Sequence, residues 1–227
     1  HPYFLREGSI PTLEMQILVP IQEENELDHN IVDIAEELKT DAEYVRMSQA
    51  AYGREPDAFV ITRALATFER TLVSGNSPWD QAEFQNCNKA MDDSQIRGKA
   101  LFFSNKTNCS SCHNGLNFTN HAFENNGLYE DYPDEGRMRF THDSVDLARF
   151  KVPGLRNVAL TAPYMHDGSL ASLEEVIDHY ESGGKAHPSK NSILKPLDLT
   201  KGEKQDLIRF LQALTDAEFI NDSRFLE

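Results

Sequence analysis

The stretch NCSSCHNG, Asn108 to Gly115, constrains this chain more than any other. Two cysteines separated by two residues, with a histidine directly behind the second, form the pattern of covalent c-type haem attachment. Each thiol can add across one haem vinyl group while the imidazole swings under the iron. Cys109 and Cys112 are therefore expected to hold one haem, with His113 as its proximal ligand. A bare CxxC also serves redox dithiols and zinc sites, but zinc needs further ligands, and no second CxxC or paired histidines follow at suitable spacing. The ligand on the opposite face of the iron must come from elsewhere; methionine, histidine and tyrosine are all chemically able to bind there.

With 227 residues the chain can bury a substantial core, as one large domain or two smaller ones. No apolar run approaches the roughly 20 residues of a membrane span, so a globular chain is expected. The formal charge of −15, more negative still with haem propionates, argues against nucleic acid or an anionic membrane and leaves a basic protein or a small molecule as partner. Cys87 has no mate, which excludes a disulfide scaffold and leaves it as an incidental thiol. The chain starts at His1 without a start methionine or an apolar leader, and so reads as a mature form or a piece of a longer chain.

Periodicity predicts a mainly helical fold. NIVDIAEELKTDAEYVRMSQAAYG places Ile31, Ile34, Leu38, Tyr44 and Met47 among charges and ends on glycine; DAFVITRALATFERTLVSG repeats the pattern with Phe59, Val60, Leu65 and Phe68 after a cap at Asp57. DDSQIRGKALFFSN offers a capped helix leading into Cys109, as suits a cytochrome c module. The segment 115–153 is loop-like, and TKGEKQDLIRFLQALTD is a capped amphipathic helix. No internal repeat is evident.

The segment FKVPGLRNVALTAPYMHDGSLASLEEVIDHYESGG, with SPWDQ, GKALFFSNKTNCSSCHNG and the opening REGSIPTLEMQILVPIQEENEL, closely resembles the bacterial di-haem cytochrome c peroxidase and MauG family. The resemblance implies a cytochrome c-like haem domain with long loops over 91–227, packed on the remnant of a second cytochrome c-like domain over 1–90. Family members carry an N-terminal haem that meets hydrogen peroxide and a C-terminal haem that passes electrons. Only the second attachment motif occurs here, so one haem c is expected in this chain and a second in the full-length protein.

The same resemblance implies the remaining site residues. The peroxidases place a methionine, and MauG a tyrosine, fourteen residues after the histidine of the HDG motif; counted from His166, that position is Tyr180. The helical pattern agrees, since Leu173, Val176, Ile177 and Tyr180 share one face, although a core tyrosine bonded to a backbone acceptor would give the same pattern. Met165 and His179 are the other candidates. Gln16 and Glu26 match the glutamine and glutamate of the peroxide pocket, where the carboxylate moves protons for O–O cleavage; read alone, Glu26 is a solvated acidic loop residue. Arg6 stands where the family commonly has a tryptophan between the haems, so either another aromatic such as Tyr3 or Phe4 takes its place, transfer proceeds without a stepping residue, or the inter-haem path differs. Calcium is implied by backbone carbonyls at Thr161 and Pro163, with one family ligand missing. Arg156 could grip a haem propionate or simply fix its loop. Trp79 reads as packing, and His121, His142 and His187 as solvent-exposed.

The function expected from these readings is haem-dependent reduction of hydrogen peroxide, with electrons from a donor cytochrome or small redox protein. MauG-like oxidation of a partner protein and a mono-haem electron carrier are the alternatives. A bacterial periplasmic location follows from c-type attachment, and a homodimer is compatible with the resemblance.

Overall fold

The computed structural model, which describes residues 2–87 and 89–225, is built from helices whose first turns are mostly closed by polar side chains. Its internal contacts divide the chain into two units, His1–Val73 and Ser74–Glu227. The first holds α1 (Leu13–Gln16), α2 (Leu18–Gln22), α3 (Ile31–Lys39), α4 (Ala42–Tyr52) and α5 (Ala58–Thr71). Its core is Ile17, Ile21, Ile31, Ala35, Ile61 and Ala66.

Two expectations about these helices are corrected. The stretch from Asn30 to Gly53 is not one helix, because Asp41 turns extended and its side chain accepts from the Glu43 N–H at 2.8 Å, starting α4 afresh. Tyr44 and Met47 are thereby left exposed. In α5 the buried face is Val60, Ile61 and Ala66, whereas Phe59, Leu65 and Phe68 face outward. The Phe59 ring is covered instead by the Arg63 guanidinium, 3.6 Å from its centroid.

A turn is also repeated, which the sequence reading missed. Phe4 bridges Ile10 with an N–H to carbonyl bond of 2.7 Å, and Tyr164 bridges Leu170 in the same way, also at 2.7 Å. Between them lie Leu5 (φ 63°) and Gly8 (φ 73°) in one copy, and Met165 (φ 73°) and Gly168 (φ 74°) in the other. Thr12 and Ser172 then cap the following helices by accepting from Met15 and Glu175. Ile17 and Ile177 are buried at matching places. The register sets Pro20 opposite Tyr180. Proline has no N–H for the Gln16 carbonyl, which accounts for the break between α1 and α2 where the second copy continues as one helix.

The second unit comprises α6 (Pro78–Phe84), α7 (Asp93–Phe102), α8 (Cys109–Cys112), α9 (Met138–Thr141), α10 (Leu173–Ser182), α11 (Lys201–Gln212) and α12 (Ala217–Ile220). A small antiparallel sheet pairs β1 (Phe123–Glu124) with β2 (Phe150–Lys151), matching Phe123 to Lys151 and Glu124 to Phe150. Helices α7 and α11 cross most closely at Gly98, where a Cβ would fall on the Asp206 carbonyl and 2.8 Å from the Phe210 Cβ. Capping boxes at Asp92/Gln95 and Thr200/Glu203 start both helices, as expected.

The unit boundary lies at Val73/Ser74 rather than at 90/91. Trp79 of α6 is buried in the second core, edge-on to Phe118 at 4.6 Å. Asp216 ties the preceding loop down by accepting from the Gly75 and Asn76 N–H groups, both at 2.8 Å. Among the described residues no helix is long and apolar enough to cross a membrane.

Candidate functional site

The attachment motif is held by a short turn on an aromatic base. Asn108 adopts the left-handed conformation (φ 55°) and leads into the single turn Cys109–Cys112. Beneath it pack Phe102, Phe118 and Phe210, with Phe118 6.0 Å and 6.3 Å from the other two ring centroids. Phe118 itself sits at φ 53°, a strained conformation for an aromatic residue. Its carbonyl meets the His113 Nδ1 at 3.0 Å. That bond selects the tautomer with the proton on Nδ1 and leaves the Nε2 lone pair for a metal. Burial pushes the His113 pKa down, against the carbonyls of Phe118 and Pro153, and so favours the neutral ring that a ligand must be.

Both thiols of the motif are free and half-buried. Burial pushes each pKa up, with Glu124 and Cys109 adding to the effect at Cys112. They are thus kept as thiols on one turn, spaced for two vinyl groups. Among the described residues no three His, Cys, Asp or Glu side chains gather to hold a metal ion. The donor set fits a haem: two thiols, one neutral imidazole and a sixth-position candidate close by.

That candidate is Tyr180. Leu173 and Ile177 bury the inner face of α10, Val176 is half-buried beside them, and Tyr180 lies one turn further along. Burial pushes its phenol pKa up, opposed by a hydrogen bond from the Asn126 side chain and assisted by the nearby thiols of Cys109 and Cys112. The Asn126 side chain and both motif thiols are thus among the groups that act on the phenol. Met165 and His179 gather at the same place: the Asn126 Nδ2 donates to the Met165 Sδ at 3.1 Å, and the His179 Nε2 lies 3.0 Å from the Asn126 carbonyl. His166 stacks on Phe150 at 4.0 Å.

Arg156 has different partners from a propionate. Its Nη1 and Nη2 donate to the Asp80 carboxylate at 2.8 and 2.9 Å, and its Nε donates to the Leu116 carbonyl at 2.8 Å. The guanidinium is thus committed to bracing the loop behind His113. Trp79 packs as expected, but its buried Nε1 has no hydrogen-bond partner among the described residues. His187 is not a solvent residue, since its Nδ1 lies 3.1 Å from the Asn125 Nδ2. His121 is half-buried, His142 and Cys87 are exposed, and Thr161 and Pro163 lie in an exposed loop.

In the first unit Gln16 ends α1 half-buried, and Glu26 is exposed in a turn where its N–H donates to the Glu23 carbonyl at 2.9 Å. Arg6 and Tyr3 are exposed, and Phe4 is half-buried. Sequence reasoning missed Asn126 and Asp80. Asn126 lies in the loop-like segment 115–153 and Asp80 in the SPWDQ stretch, and neither carries a motif that signals a partner.

Comparison with known proteins agrees with this geometry. Residues 1–88 match the family described as di-haem cytochrome c peroxidase. The chain is 39% identical to the methylamine utilization protein MauG of Methylorubrum extorquens, over 93% of this chain and 60% of that protein. It is 34% identical to the cytochrome-c peroxidase IdrP1 of Pseudomonas sp. (strain SCT), over 93% and 64%. The crystal structure of a MauG-like protein associated with microbial copper homeostasis superposes with a TM-score of 0.92 at 32% identity, covering 99% of this chain and 75% of that one. The chain thus spans about three fifths of the length of the first two curated relatives, 60% and 62%.

Proposed function

Because the chain belongs to the di-haem cytochrome c peroxidase and MauG family, we propose that it supplies the electron-transfer haem domain and part of the peroxide-facing domain of an oxidoreductase that reduces hydrogen peroxide. The observation that carries this reading is the repeated turn. Its second copy leads to Tyr180 on the same helical face as the buried Leu173 and Ile177; its first leads to Pro20, whose side chain has no donor atom for a metal. On this reading Tyr180 would be a second protein ligand for a haem held at His113, and the first copy would leave room for substrate at the other haem.

Haem c supplies the redox change when bound; the chain's residues do the rest. The Phe118 carbonyl holds His113 with its Nε2 free. Tyr180, as phenolate, favours the ferric and higher states over the ferrous. Glu26 takes the proton from the near oxygen of peroxide and returns it to the leaving oxygen, with Gln16 as hydrogen-bonding partner. Two electrons and two protons then carry one peroxide to two waters. The electrons come from a donor cytochrome or small redox protein, in the bacterial periplasm where c-type haem is attached. Calcium at the Thr161 and Pro163 carbonyls is a further part of this reading.

Tyr180 also favours a second reading, MauG-like oxidation of a partner protein, in line with the 39% identity to MauG. A mono-haem carrier is disfavoured by Gln16 and Glu26, for which a carrier has no use; counting haems per polypeptide by pyridine haemochrome separates the two. The test of the main reading is Glu26→Gln in the polypeptide carrying both haems. Peroxide turnover should fall by roughly 100-fold or more, the usual contribution of a positioned acid and base. Unchanged turnover would return Glu26 to the role of a solvated loop residue.

A further inference from the structure

We infer that Tyr129 is a redox-active residue: it gives one electron to the haem held at His113, once peroxide has oxidised that haem, and passes its phenolic proton to Asp167 in the same step. This rests on the proposed peroxide chemistry, which supplies the oxidant, and goes beyond it by carrying the oxidising equivalent out to a side chain near the surface.

A run of rings lies on the strand pair of the second unit. His166 stacks on Phe150 of β2 at 4.0 Å, Tyr132 lies 5.9 Å from His166, and Tyr129 lies 5.5 Å from Tyr132 and 6.3 Å from His166. The strands are stitched to the attachment turn. The Asn120 N–H donates to the Cys112 carbonyl at 2.8 Å, and the Val152 N–H donates to the Ala122 carbonyl at 2.9 Å. Ala122 follows Asn120 by two residues and Phe150 precedes Val152 by two, so this bonded backbone sets Phe150 on the order of 20 Å or less from the Cys112 carbonyl. At the other end of the run Tyr129 is half-buried beside the exposed Glu130 and Asp131.

The two tyrosines differ in what their hydroxyls meet. Tyr129 donates to the Asp167 Oδ2 at 2.6 Å, the short length of a hydroxyl on a carboxylate. Asp167 is fixed in the repeated turn, where its Oδ1 accepts the Ser169 N–H at 3.1 Å and Gly168 follows at φ 74°. Tyr132 donates instead to the amide oxygen of the buried Asn125 at 3.0 Å and accepts the Leu128 N–H at 2.8 Å, so no base waits for its proton. The Lys185 ammonium, 5.8 Å from the Tyr129 ring centroid, opposes positive charge on that ring. Electron loss from Tyr129 is therefore tied to proton loss, and of the two tyrosines only Tyr129 has the acceptor. The step balances: phenol and carboxylate become phenoxyl radical and carboxylic acid, and the electron reduces the oxidised haem by one equivalent. A donor at the surface then returns the electron and Asp167 the proton, and two such turns account for the two electrons of one peroxide.

The experiment adds one equivalent of hydrogen peroxide to the polypeptide carrying both haems, without a donor, and follows electron paramagnetic resonance and the haem spectrum together. The parent should give a free-radical signal that narrows when ring-deuterated tyrosine is incorporated. Tyr129→Phe, which keeps the ring and its packing, should abolish that signal with the resting haem spectrum unchanged, whereas Tyr132→Phe should keep it. Asp167→Asn retains a hydrogen-bond partner but no base, and should slow the appearance of the signal by roughly 100-fold. A tyrosyl signal that survives Tyr129→Phe, disappears in Tyr132→Phe or forms as fast in Asp167→Asn overturns the inference. So does a parent whose haem spectrum responds to peroxide with no tyrosyl signal, an outcome that leaves the proposed function standing; a haem spectrum unmoved by peroxide removes both.

Discussion

Arg156→Ala should unfold the second unit more easily without first disturbing the haem. The change removes the bidentate contact to Asp80, at 2.8 and 2.9 Å, and the 2.8 Å bond to the Leu116 carbonyl. The two side chains are only 10% and 2% exposed, so water cannot replace what is lost. Asp80 is left with the Ser77 N–H and hydroxyl at 2.9 and 2.6 Å. Stranding one member of a buried ion pair costs about 3–5 kcal/mol. Against a total stability on the order of 5–15 kcal/mol, that lowers the melting temperature by on the order of 10 °C. Burial alone would raise the Asp80 carboxyl pKa, yet the bonds from Arg156 and Ser77 outweigh it and hold the group below the ordinary range. A depressed folded pKa contributes stability above the unfolded value, about 3.9, and loses it as pH falls through the folded one. Denaturant melts of parent and variant should therefore differ fully at pH 5–7, begin to approach each other near pH 4 and converge only below the depressed folded pKa. A loss under about 1 kcal/mol at neutral pH, accompanied by a changed haem spectrum, would refute the argument and restore a propionate contact.

Three further outcomes are expected. The double variant Cys109→Ala with Cys112→Ala should lose haem stain on a denaturing gel; full retention would end covalent attachment as the reading. Tyr180→Phe should convert the haem bound at His113 from six- to five-coordinate and raise its potential, measured by ferric spectra and redox titration, while Met165→Leu alone should leave the ligand field largely intact. Gly98→Ala should destabilise by about 1–3 kcal/mol or more in a denaturant melt, because the added methyl meets the Asp206 carbonyl and the Phe210 Cβ where α7 and α11 cross.

The capped helices were legible because their signals are local. Asp92 with Gln95 and Thr200 with Glu203 state their own starts, and CxxCH states its own chemistry. The outward faces of α4 and α5 were not, because a 3.6-residue period says that one stripe is apolar and not which stripe meets a neighbour. In α5 the small and β-branched Val60, Ile61 and Ala66 pack inward while Phe59, Leu65 and Phe68 do not. Nor could Arg156 be assigned. Its partner Asp80 lies 76 residues away, and only folding brings the two carboxylate oxygens under the guanidinium.

The repeated turn escaped notice for a different reason, and that reason bears on the chemistry. Leu5, Arg6 and Glu7 stand opposite Met165, His166 and Asp167, alike in character but identical at none of the three. The backbone is nevertheless the same, down to the left-handed residue, the left-handed glycine and the capping hydroxyl. A conformation costly for Leu5 and Met165 is retained in both copies because the bridge, the glycine and the cap together over-determine it. With the frame held constant, the two copies differ at a matched position: Pro20 breaks its helix and has no side-chain donor atom, while Tyr180 continues its helix. A single local architecture thus carries either side chain, and under the proposed function that exchange is what would distinguish a haem face ligated by the chain from an open one.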